Sequence, residues 1–382
     1  MRILALNWRD IRSPEAGGSE IHLHAILKRL AAWGHSVTLI CAQFVCEPGP
    51  EREIVDGVRT IRVGKWWNAH WTVPAAAKRL LEEESFDVVI DDVNKIPFFA
   101  PRFTKTPVVA IFHHLLGNSV FLETNPVFAA AIRLYESQVG RVYRNTRSVA
   151  VSRSTAEDLV REGIPRDNLV VAPPGLDREV HRADLVEKAS HPLIVVVSRL
   201  KRYKRVDVAI RAFAEIRSDL PDAELVVIGD GDQRRDLEAL ARTLRLPARF
   251  LGQVSDEQKA LWLNRARLVI NPSSKEGWGM VAVEAMACGT PVVASDIPGH
   301  RDSVPEGVGI RVPYGDVGRT AAAATRLLRS DGHYEHLRQE GLLWSQRQSW
   351  EGLARGFEGL LAEEARGAAA GIPLTNSIVT KA

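Results

Sequence analysis

The chain has 382 residues, of which 45% are hydrophobic and 25% are charged, and its formal net charge is +3 at pH 7. This length exceeds what one hydrophobic core usually covers, so two domains are expected. The composition is typical of a soluble globular enzyme rather than a disordered chain, and no apolar run is long enough for a membrane span. A net charge this small gives no support to nucleic-acid binding.

The cysteines and the first residues bear on the cellular location. Cys41, Cys46 and Cys288 form neither a metal-binding spacing nor a disulfide pattern, which indicates a reducing compartment. Residues 1–7 are too few for the hydrophobic region of a signal peptide and are predicted to form a strand. We therefore expect a cytoplasmic protein, with peripheral contact to the inner face of the membrane as an alternative.

In the first half of the chain, short apolar strands alternate with amphipathic helices, the pattern of a parallel sheet with helices on both faces. A helix from Ser19 to Trp33 ends at Gly34, before the second strand. The predicted strands are residues 2–7, 36–41, 58–63, 87–91, 108–112 and 148–152. Residues 1–178 are assigned to an N-terminal Rossmann-like domain.

The second half repeats this pattern after a polar segment, residues 179–191, which is predicted to be a linker. Its predicted strands are residues 193–198, 224–229, 249–251, 268–271, 292–295 and 309–312, within a second Rossmann-like domain of residues 192–346. Doubly wound sheets bind ligands at the carboxyl ends of their strands, so the expected α/β fold is two such domains facing across a cleft.

The C-terminal region is predicted to contain one helix and a tail. Residues 347–365 have an apolar stripe at Leu353, Phe357, Leu360 and Leu361, so this helix must pack on another element, and the N-terminal domain is a candidate. Residues 366–382 are rich in Ala, Gly and Thr and are predicted to be disordered.

The segment from residue 271 to residue 295 is the most informative part of the sequence. A strand ends there, and a glycine-rich turn opens a short helix, which leaves backbone N–H groups free for an anion or a polyol. Glu276 lies in the turn, and Glu284 lies one helical turn after Met280. Because a carboxylate repels phosphate, we interpret both acids as acceptors for sugar hydroxyl groups.

A second reading of this segment is a capped core helix with solvated acids. The turn has the sequence Gly277-Trp278-Gly279, and two glycines around a tryptophan argue against that reading.

Basic residues follow the first strand of the second domain. Arg199 and Lys204 precede a helix that begins near Val206, where a doubly wound fold binds phosphate. A diphosphate leaving group gains negative charge as its bond to a sugar breaks, so fixed cations stabilise that transition state more than the ground state. A solvated basic turn is the alternative, and it fits Lys201, Arg202 and Arg205 better.

Several short motifs occur in a characteristic order. They are Gly17-Gly18-Ser19-Glu20, Gly34-His35-Ser36-Val37, Val151-Ser152, Gly163-Ile164-Pro165, Pro173-Pro174-Gly175-Leu176-Asp177, Arg199 with Lys204, Ile228-Gly229-Asp230-Gly231, Phe250-Leu251-Gly252, and Glu276 and Glu284 with seven residues between them. By these motifs the chain resembles the retaining glycosyltransferases of the GT-B fold, family 4 (glycosyl transferases group 1), from Met1 to about Glu364. The glutamate pair is the most specific motif.

The resemblance implies roles for individual residues. Arg199 and Lys204 would hold the donor diphosphate, and Glu276 would contact hydroxyl groups of the donor sugar. Glu284 would bind the ribose. Sugar and phosphate would be contacted by the N–H groups of Gly277, Trp278, Gly279 and Met280, and the base by the backbone from Gly252 to Val254. In the first domain, His113 would lie near the reacting carbon. Gly17 and Gly18 would allow the backbone to approach the diphosphate, because they have no side chain.

Three positions depart from the family pattern. Ser198 stands in place of the commoner glycine, Pro174 in place of asparagine, and Trp278 in place of phenylalanine. None of these changes alters the Arg199 and Lys204 charges. Transferase activity is therefore still expected, and these changes affect only how the donor fits its binding site.

Two of these interpretations have simpler alternatives. His113 ends a strand, where histidines are often only hydrogen-bonded structure, and the adjacent His114 competes for its role. The segment Asp230-Gly231-Asp232 is similar to the metal motif of a different glycosyltransferase fold, but Asp232 is interpreted as a helix cap. Since Arg199 and Lys204 supply positive charge, no metal is expected.

The sequence therefore predicts a retaining, metal-independent hexosyltransferase in which both motif acids bind hydroxyl groups. It would move a sugar from a UDP- or GDP-linked donor, its only co-substrate, to a hydroxyl group of a small molecule such as an aminocyclitol, or of a glycan. No separate cofactor and no nucleic-acid partner are expected. The departing phosphate would accept the proton of the acceptor hydroxyl on the same face of the sugar.

Three alternatives remain. A peripheral-membrane enzyme that uses a lipid-linked acceptor is favoured by Trp66, Trp67 and Trp71 and by basic residues on a helical stretch, Arg133, Arg141 and Arg144. A sugar-nucleotide epimerase would share the fold without needing an acceptor. A dinucleotide-dependent dehydrogenase is disfavoured, because residues 1–18 lack its glycine pattern. The acceptor is expected to contact residues 8–18, 65–73, 94–99 and 115–127.

Overall fold

The computed structural model describes residues 1–44, 48–94, 96–115, 117, 120 and 126–370. They form two compact units, one of Met1–Gly175 with the final helix from Trp350, and one of Leu176–Ser349. Cys46, part of the predicted acceptor loops and the end of the predicted tail lie outside the described residues. Within the described part of the chain, every helix is too short or too polar to cross a bilayer.

The first unit is built on a sheet whose strands are parallel except for one edge pair. Its order is β3-β4-β2-β1-β5-β6-β7-β8, and β3 pairs antiparallel with β4. The strands are β1 (Arg2–Leu6), β2 (Ser36–Ala42), β3 (Arg52–Val55), β4 (Val58–Val63), β5 (Val88–Val93), β6 (Val108–Phe112), β7 (Arg147–Ala150) and β8 (Leu169–Val171). The pattern analysis missed β3 and β8 because both are short edge strands in which all residues except Val55 are exposed or half-exposed.

The second unit has a fully parallel sheet in the order β11-β10-β9-β12-β13-β14. Its strands are β9 (Leu193–Val197), β10 (Glu224–Ile228), β11 (Ala248–Gly252), β12 (Leu268–Asn271), β13 (Val292–Ser295) and β14 (Ile310–Val312). Helices cover both faces, so the central strands β9 and β12 are buried along nearly their whole length rather than at alternate residues. The predicted fold class, two doubly wound α/β domains, is confirmed.

The helices follow the strands in the expected βα alternation. They are α1 (Gly18–Ala32), α2 (Ala69–Glu83), α3 (Pro126–Glu136), α4 (Val139–Val142), α5 (Arg153–Arg161), α6 (Val206–Asp219), α7 (Arg234–Thr243), α8 (Asp256–Arg265), α9 (Met280–Ala287), α10 (Pro298–Ser303), α11 (Val317–Leu328), α12 (Asp331–Ser345) and α13 (Trp350–Ala370). Short 3₁₀ turns cover Ala100–Arg102, Arg166–Asn168 and Arg202–Lys204.

Helix α13 packs on the first unit although it follows the second in sequence. Phe357 and Leu361 lie in the same core as Leu23 and Ile26 of α1 and are fully buried. The helix continues to Ala370, so residues 366–370, which were predicted to begin a disordered tail, are helical.

The predicted linker, residues 179–191, is part of the second unit. The amide of Ala189 donates to the Arg265 carbonyl at 2.9 Å, and the Lys188 ammonium contacts the Cys288 carbonyl and the Thr290 hydroxyl. Burial lowers the pKa of Lys188 to about 7. The polar composition of this segment therefore reflects hydrogen bonds to the second unit rather than a free connection.

Candidate functional site

The turn before α9 has the backbone that the sequence predicts for an anion or polyol site. Gly279 is the N-cap residue, and its φ of 96° is a conformation that residues with a side chain rarely adopt. The first N–H groups of a helix have no intrahelical partner, so the turn offers donors to a ligand. Trp278 is buried in the core of the second unit, so only its main chain can take part.

Lys204 and Glu276, which the sequence assigns to one site from separate motifs, are in direct contact. The Lys204 Nζ atom donates to Glu276 Oε1 at 2.6 Å, and both side chains are about seven-eighths buried. Burial raises the pKa of Glu276, but the charge of Lys204 and hydrogen bonds from Lys204 and Ser273 outweigh it and lower that pKa. Glu276 is therefore a carboxylate near neutral pH.

Arg199 lies beside this pair but is more open to solvent. It is exposed, and its guanidinium donates to the Tyr203 hydroxyl at 3.0 Å. The backbone of Tyr203 accepts bonds from the amide and hydroxyl of Ser274, each at 2.8 Å, which joins the basic turn to the loop that carries Glu276. These bonds hold both cations at the carboxyl edge of the sheet.

Asp232 is not a helix cap, contrary to the sequence-based interpretation. Helix α7 begins at Arg234 with Gln233 as its N-cap, and the Asp232 carboxylate accepts instead from Lys201 at 2.8 Å. Both of those side chains are about half exposed. Within the described residues, no group of three or more His, Cys, Asp or Glu side chains is arranged to hold a metal ion.

Glu284 is buried and paired with a lysine that the sequence analysis missed. Lys259 Nζ lies 3.0 Å from Glu284 Oε2 and 2.9 Å from Asp256 Oδ1, and His181 Nε2 lies 3.9 Å from the same oxygen of Glu284. Burial lowers the pKa of Lys259, but the two carboxylates outweigh it and raise that pKa. The only sequence signal was the i, i+3 spacing of Asp256 and Lys259, which is common on exposed helices.

Gly252 and Val254 lie at the carboxyl end of β11. Gly252 has a φ of 72°, and its carbonyl accepts from the amide of Gly229 at 2.7 Å. Val254 is half-buried against the core of the second unit. The backbone from Gly252 to Val254 therefore leaves the sheet in a conformation that depends on glycine.

In the first unit, His113 follows β6 and is paired with a carboxylate from the neighbouring strand. Its Nε2 atom lies 2.7 Å from Oδ1 of Asp92, which is completely buried at the end of β5. Burial lowers the pKa of His113, but the charge and hydrogen bond of Asp92, together with the charge of Glu20, raise it above its ordinary value. Burial also raises the pKa of Asp92. The sequence signal for Asp92 was a pair of aspartates ending a predicted strand.

His22 and His24 lie on α1 in different surroundings. The ring of His22 is fully buried and perpendicular to that of His113, with 5.1 Å between centroids. His24 Nε2 lies 2.7 Å from Asp56 Oδ2. The two side chains therefore do not share a ligand, as their spacing on a helix predicts.

The glycine loop before α1 is anchored on two sides. The Gly17 amide donates to Glu20 Oε2 at 2.8 Å, and Asn94 donates to the other oxygen of Glu20 at 2.6 Å. Earlier in the loop, Asp10 accepts from Arg62 Nε at 2.6 Å, and both of those side chains are completely buried. Gly17 is thus held in place by Glu20 of the same sequence motif, which is fixed in turn by Asn94.

The predicted site residues therefore form two groups. The second unit brings Lys204 together with Glu276 at the α9 turn, and it holds Arg199, Glu284 and the Gly252–Val254 backbone at the carboxyl ends of its strands. The first unit holds His113 and the pair Gly17-Gly18 at the carboxyl ends of β6 and β1. Parallel strands place their following loops at one edge of each sheet, which explains both groupings.

Comparison with known proteins identifies the family of the chain. The Glycosyltransferase Family 4 profile matches residues 16–180, and the Glycosyl transferases group 1 profile matches residues 177–344. A phosphatidyl-myo-inositol mannosyltransferase of Propionibacterium freudenreichii is 30% identical, with 85% of each chain covered. A D-inositol 3-phosphate glycosyltransferase of Nocardioides is 29% identical, with 89% of this chain and 84% of the relative covered.

Solved structures agree with the fold. Sucrose-phosphate synthase of Thermosynechococcus elongatus has a TM-score of 0.79 at 22% identity, with 97% of this chain and 100% of that chain covered. Anabaena HepE, solved in complex with UDP and glucose, has a TM-score of 0.76 at 19% identity, with 95% and 99% covered. The predicted GT-B fold class is confirmed, and the chain belongs to glycosyltransferase family 4, the glycosyl transferases of group 1.

Proposed function

We propose that this glycosyltransferase moves a sugar from a UDP- or GDP-linked donor to a hydroxyl group of an inositol phosphate, with retention at the anomeric carbon. The names of the relatives support the acceptor, since D-inositol 3-phosphate and phosphatidyl-myo-inositol share an inositol ring that carries phosphate. The Anabaena structure with UDP and glucose supports a nucleotide-sugar donor.

The observation that carries the proposal is the contact of Lys204 with Glu276 at the N-terminus of α9. A cation and a carboxylate meet there beside the first N–H groups of α9. A diphosphate attracts the lysine and the N–H groups but repels the carboxylate, whereas a sugar hydroxyl donates to the carboxylate. A nucleotide sugar is a ligand that presents both kinds of group to this turn.

The reaction follows from these charges. As the bond from the sugar to the diphosphate breaks, negative charge develops on the leaving phosphate, and Lys204 with Arg199 stabilises it. The sugar becomes oxocarbenium-like, as in glycoside hydrolysis. Glu276 is engaged with Lys204 and with sugar hydroxyls, so the departing phosphate accepts the proton of the attacking hydroxyl on the same face. This route gives retention without a covalent intermediate on the enzyme.

Replacing either cation tests this assignment. In Lys204→Ala and Arg199→Ala, we expect turnover to fall by roughly a hundredfold or more, the usual effect of losing one group that stabilises transition-state charge. Lys201→Ala is the matched control, because Lys201 is exposed and paired with Asp232. The measurement is the initial rate of transfer from UDP- and GDP-sugars to inositol phosphate. Near wild-type turnover in both variants would contradict the assignment.

Metal independence is part of the same proposal. Lys204 and Arg199 supply two positive charges to the diphosphate, which is the role a divalent cation plays in other transferases. We expect EDTA to leave the transfer rate unchanged and added manganese not to raise it. Loss of activity in EDTA that manganese restores would contradict this, and the pair Asp230 and Asp232 would then be the first residues to substitute.

In the first unit, His113 is proposed to contact the donor sugar near the reacting carbon. Asp92 holds its ring and keeps its pKa high, so His113 retains a proton above the pH at which a free histidine loses it. Because the folded-state pKa lies above the unfolded value, the stabilisation from this protonation is present below the unfolded value and is lost as the pH rises through the folded one.

The pKa of His113 can be measured by NMR of labelled histidine side chains. We expect a midpoint above 6.5 in the wild type. In Asp92→Asn the midpoint should fall below 6.5, because burial lowers the pKa of His113 and the charge of Asp92, which raises it, has been removed. A wild-type midpoint below 6.5, or no change on substitution, would show that Asp92 does not set the protonation of His113.

A lipid-linked acceptor is the second candidate, and one surface of the first unit favours it. Trp66, Trp67 and Trp71 are 46%, 58% and 66% exposed, so they are not core residues. Exposed indole side chains clustered within one turn and the start of α2 are unusual on a soluble surface and suit the interface of a bilayer. Phosphatidylinositol would then be the acceptor, and the protein would bind peripherally to the membrane.

Vesicles that contain phosphatidylinositol separate the two acceptors. For the lipid acceptor, the expected result is that the wild type sediments with these vesicles and that Trp66→Ala/Trp67→Ala/Trp71→Ala binds them at least about tenfold more weakly. The variant should lose transfer to the lipid but keep transfer to soluble inositol phosphate. Leu343→Ala, which removes an exposed leucine of the second unit, is the control. Wild type that stays in the supernatant, or equal loss of both activities in the variant, would contradict a membrane role for these tryptophans.

A further inference from the structure

Helix α10 packs directly against the turn that carries Glu276. A Cβ atom placed on Gly299 would lie 2.2 Å from the Glu276 carbonyl oxygen. A Cβ atom placed on Gly279 would lie 2.9 Å from Cδ2 of His300 and 3.4 Å from its Nε2. The backbone of the turn therefore rests on α10, and one edge of the His300 ring faces Gly279 with no side chain between them.

The His300 ring is fixed in one orientation. It is completely buried, and its Nδ1 atom lies 2.9 Å from the Ser295 carbonyl oxygen. Since a carbonyl only accepts, Nδ1 carries the proton and donates it. Burial lowers the pKa of His300 below its ordinary value, although the charge of Glu276 opposes this. The ring is therefore neutral near pH 7, with its hydrogen on Nδ1.

A chain of hydrogen bonds runs from this ring to Glu276. His300 donates to the Ser295 carbonyl, and the Ser295 hydroxyl donates to the Ser273 carbonyl. The Ser273 hydroxyl lies 3.0 Å from Asn271 Oδ1 and also has a hydrogen-bond interaction with the Glu276 carboxylate that lowers the pKa of Glu276. Each of the two serines is buried, so water does not compete for these bonds. The position of Glu276 is thereby linked to the orientation of a side chain 24 positions later in the sequence.

The other ring nitrogen shows what this arrangement costs. His300 Nε2 is buried and has no hydrogen-bond partner among the described residues. A buried polar atom without a partner is unfavourable, and an aliphatic side chain of similar size would avoid it. What an aliphatic side chain cannot supply is the Nδ1–H bond to Ser295 and the flat ring edge against Gly279.

We propose that His300 is a positioning residue that holds the Glu276–Met280 turn in the geometry required by the donor sugar. It acts through Ser295 and Ser273 on the Glu276 carboxylate and by packing on the backbone of Gly279. The inference rests on the proposed function, in which this turn receives the sugar of a nucleotide sugar. The ribose and the base of the donor are assigned to Glu284 and to the Gly252–Val254 backbone, which lie outside this turn, so nucleotide binding should depend on His300 much less than sugar transfer does.

Two substitutions at this position separate positioning from general stability. His300→Leu keeps most of the volume but removes the N–H donor, whereas His300→Asn keeps a side-chain N–H close to the position of Nδ1. Two quantities are measured for each protein: the dissociation constant of UDP or GDP, by calorimetry, and kcat/KM for the nucleotide sugar. Leu337→Ala is the control, since it removes a buried side chain of another core cluster in the same unit.

In His300→Leu we expect kcat/KM to fall about tenfold to a hundredfold, as small misplacements of a contact residue do, while the nucleotide dissociation constant stays within about twofold of wild type. His300→Asn should recover most of the loss. In a Glu276→Gln background, His300→Leu should add little further loss, because both act through one carboxylate. Leu337→Ala should lower the melting temperature without this selectivity.

Several results would overturn the inference. They are equal losses of nucleotide affinity and transfer, failure of Asn to recover activity, or full additivity with Glu276→Gln. If His300→Leu does not fold, Ser295→Ala breaks the next link with less change in volume, and it should show the same selective loss. Wild-type protein that binds neither nucleotide nor nucleotide sugar would instead reject the proposed function, whereas a wild-type-like His300→Leu rejects only the role of His300.

Discussion

The ion pair of Lys204 with Glu276 is the interaction on which the candidate site of the second unit depends. It joins residues 72 positions apart in the sequence, and both charges are largely removed from solvent. A pair of this kind is stable only when its geometry is good and its remaining polar atoms are satisfied. The bonds of Ser273 to Glu276 and of Ser274 to Tyr203 meet that condition, so the pair and its two loops are held as one unit.

The parallel sheet explains why such a pair can form. Residues after β9 and β12 meet because these strands are neighbours in the sheet, although three helices and two strands separate them in the chain. The same rule operates in the first unit, where Asp92 after β5 meets His113 after β6. In both units a charged or titratable group is matched by a partner from the adjacent strand. The proposed chemistry uses these matched groups, one pair in each unit.

Glycines set the distances around the Glu276–Met280 turn. Gly279 and Gly299 let the turn and α10 approach until backbone meets backbone or ring, and any side chain at either position would collide. This close packing is accompanied by a local cost, since the buried Nε2 atom of His300 has no hydrogen-bond partner in the part of the chain that the structure describes. A fold tends to carry such local costs where a geometry matters for function, and this one lies directly under the predicted sugar contact.

The local sequence determined much of this protein. Runs of three to six residues predicted twelve strands and the two-domain class, and short motifs predicted the candidate site residues Arg199, Lys204, Glu276 and Glu284, because strand periodicity, glycine turns and charge are local properties. Only the tertiary structure decided three further features. They are the contacts of Asp92, Lys259 and His300 with the predicted site residues, the packing of α13 on the first unit, and the exposure of Trp66, Trp67 and Trp71. Strand order and helix packing bring together segments that are distant in sequence. A local sequence pattern cannot predict which distant segment will become a neighbour.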